Sequence, residues 1–288
     1  MKELVVISGK GGAGKTSIVA GLAALAPSKV IADCDVDASD LHLVLEPEVV
    51  KEEPFFGGSR AHIRQDDCTG CGICRDYCRF DAIVERDGAF EVDEVFCEGC
   101  KVCVEFCPEG AIDFLPAENG RWYVSKTRHG TLVHARLFAA EENSGKLVTL
   151  VRKEAKKAAE HEGVDLVIAD GAPGIGCPVI ASLTGADMAL IVTEPTPSGL
   201  HDFRRAVELV EHFKMKAACV VNKFDLNEDM VREVDRYCEQ KGIPLIGMIP
   251  YDDDVTRAQL VGRSVVEHSN GPAAKAIEGI WSKLQGIL

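Results

Sequence analysis

Two sets of residues in this chain have the types and spacing to do chemistry. The first is Gly9-Lys10-Gly11-Gly12-Ala13-Gly14-Lys15-Thr16-Ser17, which fits the pattern G-x-x-x-x-G-K-[ST]. A loop of this kind points several backbone N–H groups into one hollow, and such a hollow binds phosphate. Lys15 would reach the β- and γ-phosphates, and the Thr16 hydroxyl would hold Mg²⁺. The second set is sulfur. Cys68, Cys71, Cys74 and Cys78 form a C-x2-C-x2-C-x3-C run, and Cys97, Cys100, Cys103 and Cys107 repeat it. Thiols grouped this tightly in a long chain speak for metal rather than disulfides. Structural zinc prefers paired C-x2-C halves separated by longer loops. Two full runs of four, with glycine between cysteines, suit iron–sulfur clusters.

Regular elements must position these groups. Leu4-Val5-Val6-Ile7 is a β-branched apolar run that predicts a buried strand, and Ile18 to Ala26 predicts a helix. The loop therefore lies between a strand and a helix N-terminus, whose dipole also favours an anion. Lys29 to Asp33 predicts a second strand, followed by Asp35, Asp37, Ser39 and Asp40. Acidic residues past a strand's carboxyl end sit where an open parallel sheet binds ligand. The same residues could instead cap the next helix through Ser39 or Asp40. Cys34 reads as a small buried filler.

Val164 to Ala169 is an apolar strand leading into Asp170-Gly171-Ala172-Pro173-Gly174-Ile175-Gly176. Beside a phosphate loop, Asp170 would hold Mg²⁺ directly or through water. Residues 122–138 read as strands, Asn143 to Lys146 as the approach to a helix over Leu147–His161, and Gly199–Phe213 as an amphipathic helix. Met188–Thr193, Ala217–Val221 and Pro244–Ile249 read as further strands. Asn222, at the end of one of them, could read a base or simply turn the chain. Strands alternating with helices predict an α/β fold with a mostly parallel sheet covered on both faces. The last stretch spaces Ile277, Ile280, Trp281, Leu284 and Leu288 as one helix face, with only Lys275 and Lys283 as cations, which suits packing rather than membrane binding.

The chain has 288 residues with 46 acids against 32 bases, a net charge of −14. That balance argues against non-specific DNA binding and against attraction to anionic lipid. No stretch approaches the length of a membrane span, and no signal-peptide pattern opens the chain, so a cytoplasmic protein is expected.

Lys10, the extra lysine within K-G-G-x-G-K-T, gives the loop a resemblance to the deviant Walker A of the MinD/ParA/NifH superfamily of P-loop ATPases. In that family the second lysine reaches across a dimer interface to the partner's nucleotide. The resemblance implies that Asp35 positions the attacking water or the metal shell, that Asn222 reads adenine, and that Pro250 and Asp252 lie along it. Asp40 stands where the family often has asparagine, so no role is carried over to it. The cysteine runs resemble a bacterial ferredoxin, in which the fourth cysteine of each run ligates the other cluster. By that likeness Cys68, Cys71, Cys74 and Cys107 hold one [4Fe–4S] cluster, and Cys97, Cys100, Cys103 and Cys78 hold the second. Arg79 departs from the proline that follows the fourth cysteine, whereas Pro108 keeps it.

Together the resemblances predict a discontinuous ATPase domain over 1–57 and 117–288, and an inserted α+β ferredoxin-like domain over 58–116. The expected ligands are ATP or ADP, Mg²⁺ and two [4Fe–4S] clusters. The leading expectation is a homodimeric or heterodimeric ATPase, slow without its partner, that couples nucleotide state to electron transfer to a redox protein. The alternative is an ATP-dependent carrier or assembly protein for iron–sulfur clusters or metal cofactors. Carriers in the superfamily use a later C-x-x-C, and Cys177, Cys219 and Cys238 lack that spacing. A positioning ATPase acting on DNA or membrane is a third class, disfavoured by the acidic charge.

Overall fold

The computed structural model describes residues 1–138, 141 and 144–288. Asn143, named above at the approach to a helix, lies outside the described residues. In chain order the elements are β1 (Lys2–Ser8), α1 (Lys15–Leu25), β2 (Val30–Asp33), α2 (Leu41–Leu45), β3 (Glu48–Ile63), α3 (Ile73–Asp76), β4 (Ile83–Arg86) and β5 (Ala89–Val92). They continue as α4 (Val102–Glu105), β6 (Ile112–Thr127), β7 (Gly130–Leu137), α5 (Ser144–Glu162), β8 (Leu166–Pro173), α6 (Cys177–Leu183), β9 (Met188–Thr193) and α7 (Pro197–His212). The last are β10 (Lys216–Asn222), α8 (Glu228–Lys241), β11 (Leu245–Ile249), α9 (Asp253–Leu260), α10 (Val265–His268) and α11 (Pro272–Ile287).

Among the described residues, nine strands form one sheet in the order β11-β10-β9-β1-β8-β2-β7-β6-β3. Every ladder from β11 to β7 is parallel, and a two-residue turn, Arg128-His129, joins β6 to β7. The fold is α/β, as the alternation of elements predicts. Parallel strands covered on both faces read as continuous apolar runs. All of Leu4, Val5, Val6 and Ile7 are fully buried for that reason. One face packs Leu4, Val6, Ile168 and Leu190 against Ile18 and Leu22 of α1 and Ile277, Ile280 and Leu284 of α11. The C-terminal helix thus belongs to the core, as its spacing suggests. Asp170 differs from its expected place at a strand end. β8 runs on to Pro173, because it stays paired with β1 through a register shift between Val6 and Ser8.

The chain divides into two compact units. One comprises Met1–Glu52, Trp122–Arg136 and Ser144–Leu288 and contains the phosphate loop. The other comprises Glu53–Arg121 and Leu137–Asn143 and contains both cysteine runs. The second has a small apolar centre: Ala61, Ile63, Cys74, Ile83, Phe90 and Ile112, with Cys68, Cys78, Cys97, Cys103 and Cys107 packed around it. The sequence duplication is visible as a structural one. The short helices α3 and α4 occupy equivalent places in the two runs, each preceded by a left-handed residue, Gly72 (φ 76°) and Lys101 (φ 66°). The equivalent rings Tyr77 and Phe106 stack with centroids 4.3 Å apart.

Candidate functional site

The phosphate loop connects β1 to α1, and Lys15 opens that helix. Gly14 takes φ 88°, and a Cβ there would collide with the Asn222 amide. Glycine is required on both counts. Asn222 closes on the loop: its Nδ2 donates to the Ala13 carbonyl at 2.9 Å, and its Oδ1 accepts from Lys223 N at 3.0 Å. The asparagine thus braces the loop.

Three carboxylates surround Lys15. Register places Asp33 of β2 directly beside Asp170 of β8. Lys15 Nζ donates to Asp170 Oδ1 at 2.7 Å and lies 3.5 Å from Asp35 Oδ2. Burial opposes the lysine's charge, but Asp170, Asp35 and Asp33 outweigh it and raise its pKa. The second oxygen of Asp170, Oδ2, is buried with no hydrogen-bond partner. An orphaned carboxylate oxygen on the partner of Lys15 suits a cation, and Lys15 and Thr16 both line the loop's cavity. Asp33 is fully buried, and its oxygens accept from Ser39 Oγ at 2.6 Å and Asp35 N at 3.2 Å. Burial and the neighbouring Asp170 push its pKa up to about 7.

The cavity is lined by Gly11, Gly12, Gly14, Lys15, Thr16 and Ser17, by Asp35 and Asp40, and by Asn222, Pro250, Tyr251 and Asp252. Pro250 and Asp252 therefore share a wall with the loop. Asp252 also has structural work: Oδ1 caps α9 through Asp254 N at 3.0 Å, and Oδ2 accepts from Ala273 N at 3.2 Å. Ala13 is buried beneath the loop. Lys10 turns to its own chain, with Nζ 2.5 Å from Glu194 Oε1 and 3.2 Å from Ser198 Oγ.

Sequence reasoning gave no role to Asp33, Glu194 or Lys223. The available signal was an acid at the end of an apolar strand, shared by Asp33 and Glu194. Which strands are neighbours could not be read.

In the other unit the eight cysteines line two separate cavities. One is bounded by Cys68, Cys71, Cys74 and Cys107, with Ile63, Phe90 and Ile112. The second is bounded by Cys78, Cys97, Cys100 and Cys103, with Ile83, Val92 and Phe114. Each cavity therefore draws three thiols from one run and one from the other. Ala111 N donates to Cys107 Sγ at 3.3 Å. Burial and the nearby Cys97 and Cys100 push the Cys103 thiol up to about 11. Among the described residues, no group of three or more His, Cys, Asp or Glu converges as it would around a single metal ion.

A model of the CobQ/CobB/MinD/ParA nucleotide-binding domain matches residues 4–265. The chain belongs to the CobQ/CobB/MinD/ParA family. An uncharacterized protein of Methanocaldococcus jannaschii is 32% identical over 291 residues, spanning 99% of this chain and 97% of its own. An iron-sulfur cluster carrier protein of Pyrococcus abyssi is 29% identical over 154 residues, 49% of this chain and 52% of that one. Among solved structures, the MinD of Pyrococcus horikoshii complexed with Mg-ADP superposes with a TM-score of 0.60 at 17% identity, covering 99% of this chain and 96% of that one. That likeness is one of fold. As a CobQ/CobB/MinD/ParA member the chain is a nucleotide-binding protein, and among the described residues no helix is long and apolar enough to cross a membrane.

Proposed function

We propose that this chain is an ATP-hydrolysing iron–sulfur protein that carries or assembles iron–sulfur clusters, or a related metal cofactor, for a partner protein. The observation that carries this reading is a phosphate cradle and two four-thiol hollows in one polypeptide. The likeness to cluster carriers favours this reading over the electron-transfer role that leads the sequence expectations. The donor sets fit [4Fe–4S] clusters, which need four thiolates each in an otherwise apolar hollow. Such clusters, when bound, supply one-electron chemistry and a transferable iron–sulfur core.

In the nucleotide site, Lys15 would leave Asp170 for the β- and γ-phosphates, and Thr16 with Asp170 would hold Mg²⁺. Asp35, 3.5 Å from the Lys15 ammonium, would orient the attacking water. Lys10 would serve the nucleotide of a dimer partner. Charge developing on the γ-phosphate would then be offset by two lysines and Mg²⁺. β6 is one continuous strand that begins just after Cys107 and ends in the nucleotide-binding unit. That covalent path supports coupling between the two chemistries.

A second reading, ATP-coupled electron transfer, is favoured by one observation. Each hollow has a complete thiol set, which suits a cluster that stays. Anaerobic assays separate the two. Transfer of iron and sulfide to an apo-acceptor, accelerated by MgATP, is the expected result. Reversible reduction with all iron retained and no transfer would favour electron transfer. Zinc in place of iron, or a chain indifferent to ATP, would sink both.

A further inference from the structure

Glu194 follows the buried strand β9 and precedes Pro195-Thr196-Pro197, which opens α7. Thr196 caps that helix by accepting from Gly199 N at 3.0 Å. A Cβ on Gly199 would collide with the Glu194 carbonyl, so the backbone at Glu194 is clamped to the first turn of α7. The side chain is 13% exposed and carries two lysines on opposite oxygens. Lys10 Nζ lies 2.5 Å from Oε1, and Lys223 Nζ lies 3.6 Å from Oε2. Lys223 also approaches the Gly12 carbonyl at 3.5 Å, so both cations belong to the rim of the phosphate loop. Burial pushes the Glu194 carboxyl up, but Lys10 and Lys223 outweigh it and hold the group below the ordinary carboxylate range.

We propose that Glu194 is a positioning residue that holds Lys10 and Lys223 at the rim of the phosphate loop and competes with phosphate for both. A triphosphate carries several negative charges against one on Glu194, so this chain's nucleotide draws Lys223 away and the dimer partner's nucleotide draws Lys10. The carboxylate left behind then repels the triphosphate. Glu194 therefore sets how much affinity is given up when nucleotide binds, and it keeps Lys10 from acting until then.

The inference rests on the nucleotide reading above, and the test separates the two. A fluorescent ATP analogue with Mg²⁺ is titrated into the full chain, the Glu194→Gln and Glu194→Asp variants, and Lys10→Ala. Glu194→Gln is expected to bind about tenfold tighter, the effect of one partly buried charge, with a correspondingly lower KM. Glu194→Asp keeps the charge and is expected to match the natural chain. The difference should shrink as salt rises from about 0.05 to 0.5 M, which a merely structural defect would not do. Binding by Glu194→Gln that equals or falls below that of the natural chain overturns the proposal. Lys10→Ala that binds and self-associates like the natural chain at every salt concentration overturns the role of Lys10, and the proposal with it.

Discussion

Asp33 and Asp170 stand side by side on adjoining strands, and Lys15 is the cation nearest to both. The folded chain keeps a proton on Asp33 up to about pH 7, whereas an unfolded chain releases it near the ordinary value of 3.8. Between those values the folded state binds the extra proton, so stability falls as pH rises through that window. Asp33→Asn should remove this group's contribution, whereas His134, lowered to about 4 by burial, contributes in the opposite direction in both proteins. Thermal melts at pH 5 and 8 should show the natural chain losing about 1–3 kcal/mol more than the variant between them. Lys15→Ala should cut ATP turnover by about 10²–10³-fold, with iron content per chain unchanged. At this scale the loop residues were legible, because G-x-x-x-x-G-K-[ST] specifies backbone and side chain together. Asp33 and Glu194 were not. Their meaning comes from a neighbour far along the chain: the strand bearing Asp170 for one, the loop bearing Lys10 for the other.

Among the elements, strands and helices were read well wherever apolar residues ran unbroken between turn signals, as in β1, β2 and β9. The ends were read less well. α1 starts at Lys15 rather than Ile18 because the loop's own last residues form its first turn. β8 extends past Asp170 because a neighbouring strand holds it there. The cross-over of cysteines between runs came from the ferredoxin resemblance rather than from spacing, and the two cavities draw their thiols in that pattern. Cys107→Ser tests it. Iron should fall from about eight to about four per chain, and the lost signal should be the one that Cys71→Ser also removes. Retention of the cluster lost in Cys71→Ser would refute the pairing. The duplication also exposes a mismatch: Lys101 occupies the left-handed position that Gly72 fills in the other run. Lys101→Gly should raise the melting point of the cysteine-bearing unit, gaining up to about 1 kcal/mol.

For the molecule as a whole, an excess of 46 acids over 32 bases sets its company. The chain should pass through a heparin column at about 0.1 M salt, since few phosphates could be neutralised by its surface. What the sequence could not convey at this scale is how the cleft arranges its charges. Lys15 holds one oxygen of Asp170 and leaves the other without a partner. Bare magnesium binding at that second oxygen would sit beside a buried ammonium with no phosphate to take the lysine away. The divalent ion should therefore enter only in company, already riding on ATP. Magnesium chloride titrated alone into the protein should release no heat, and the same titration after ATP should. The cleft then keeps an orderly queue, in which the nucleotide brings its own magnesium.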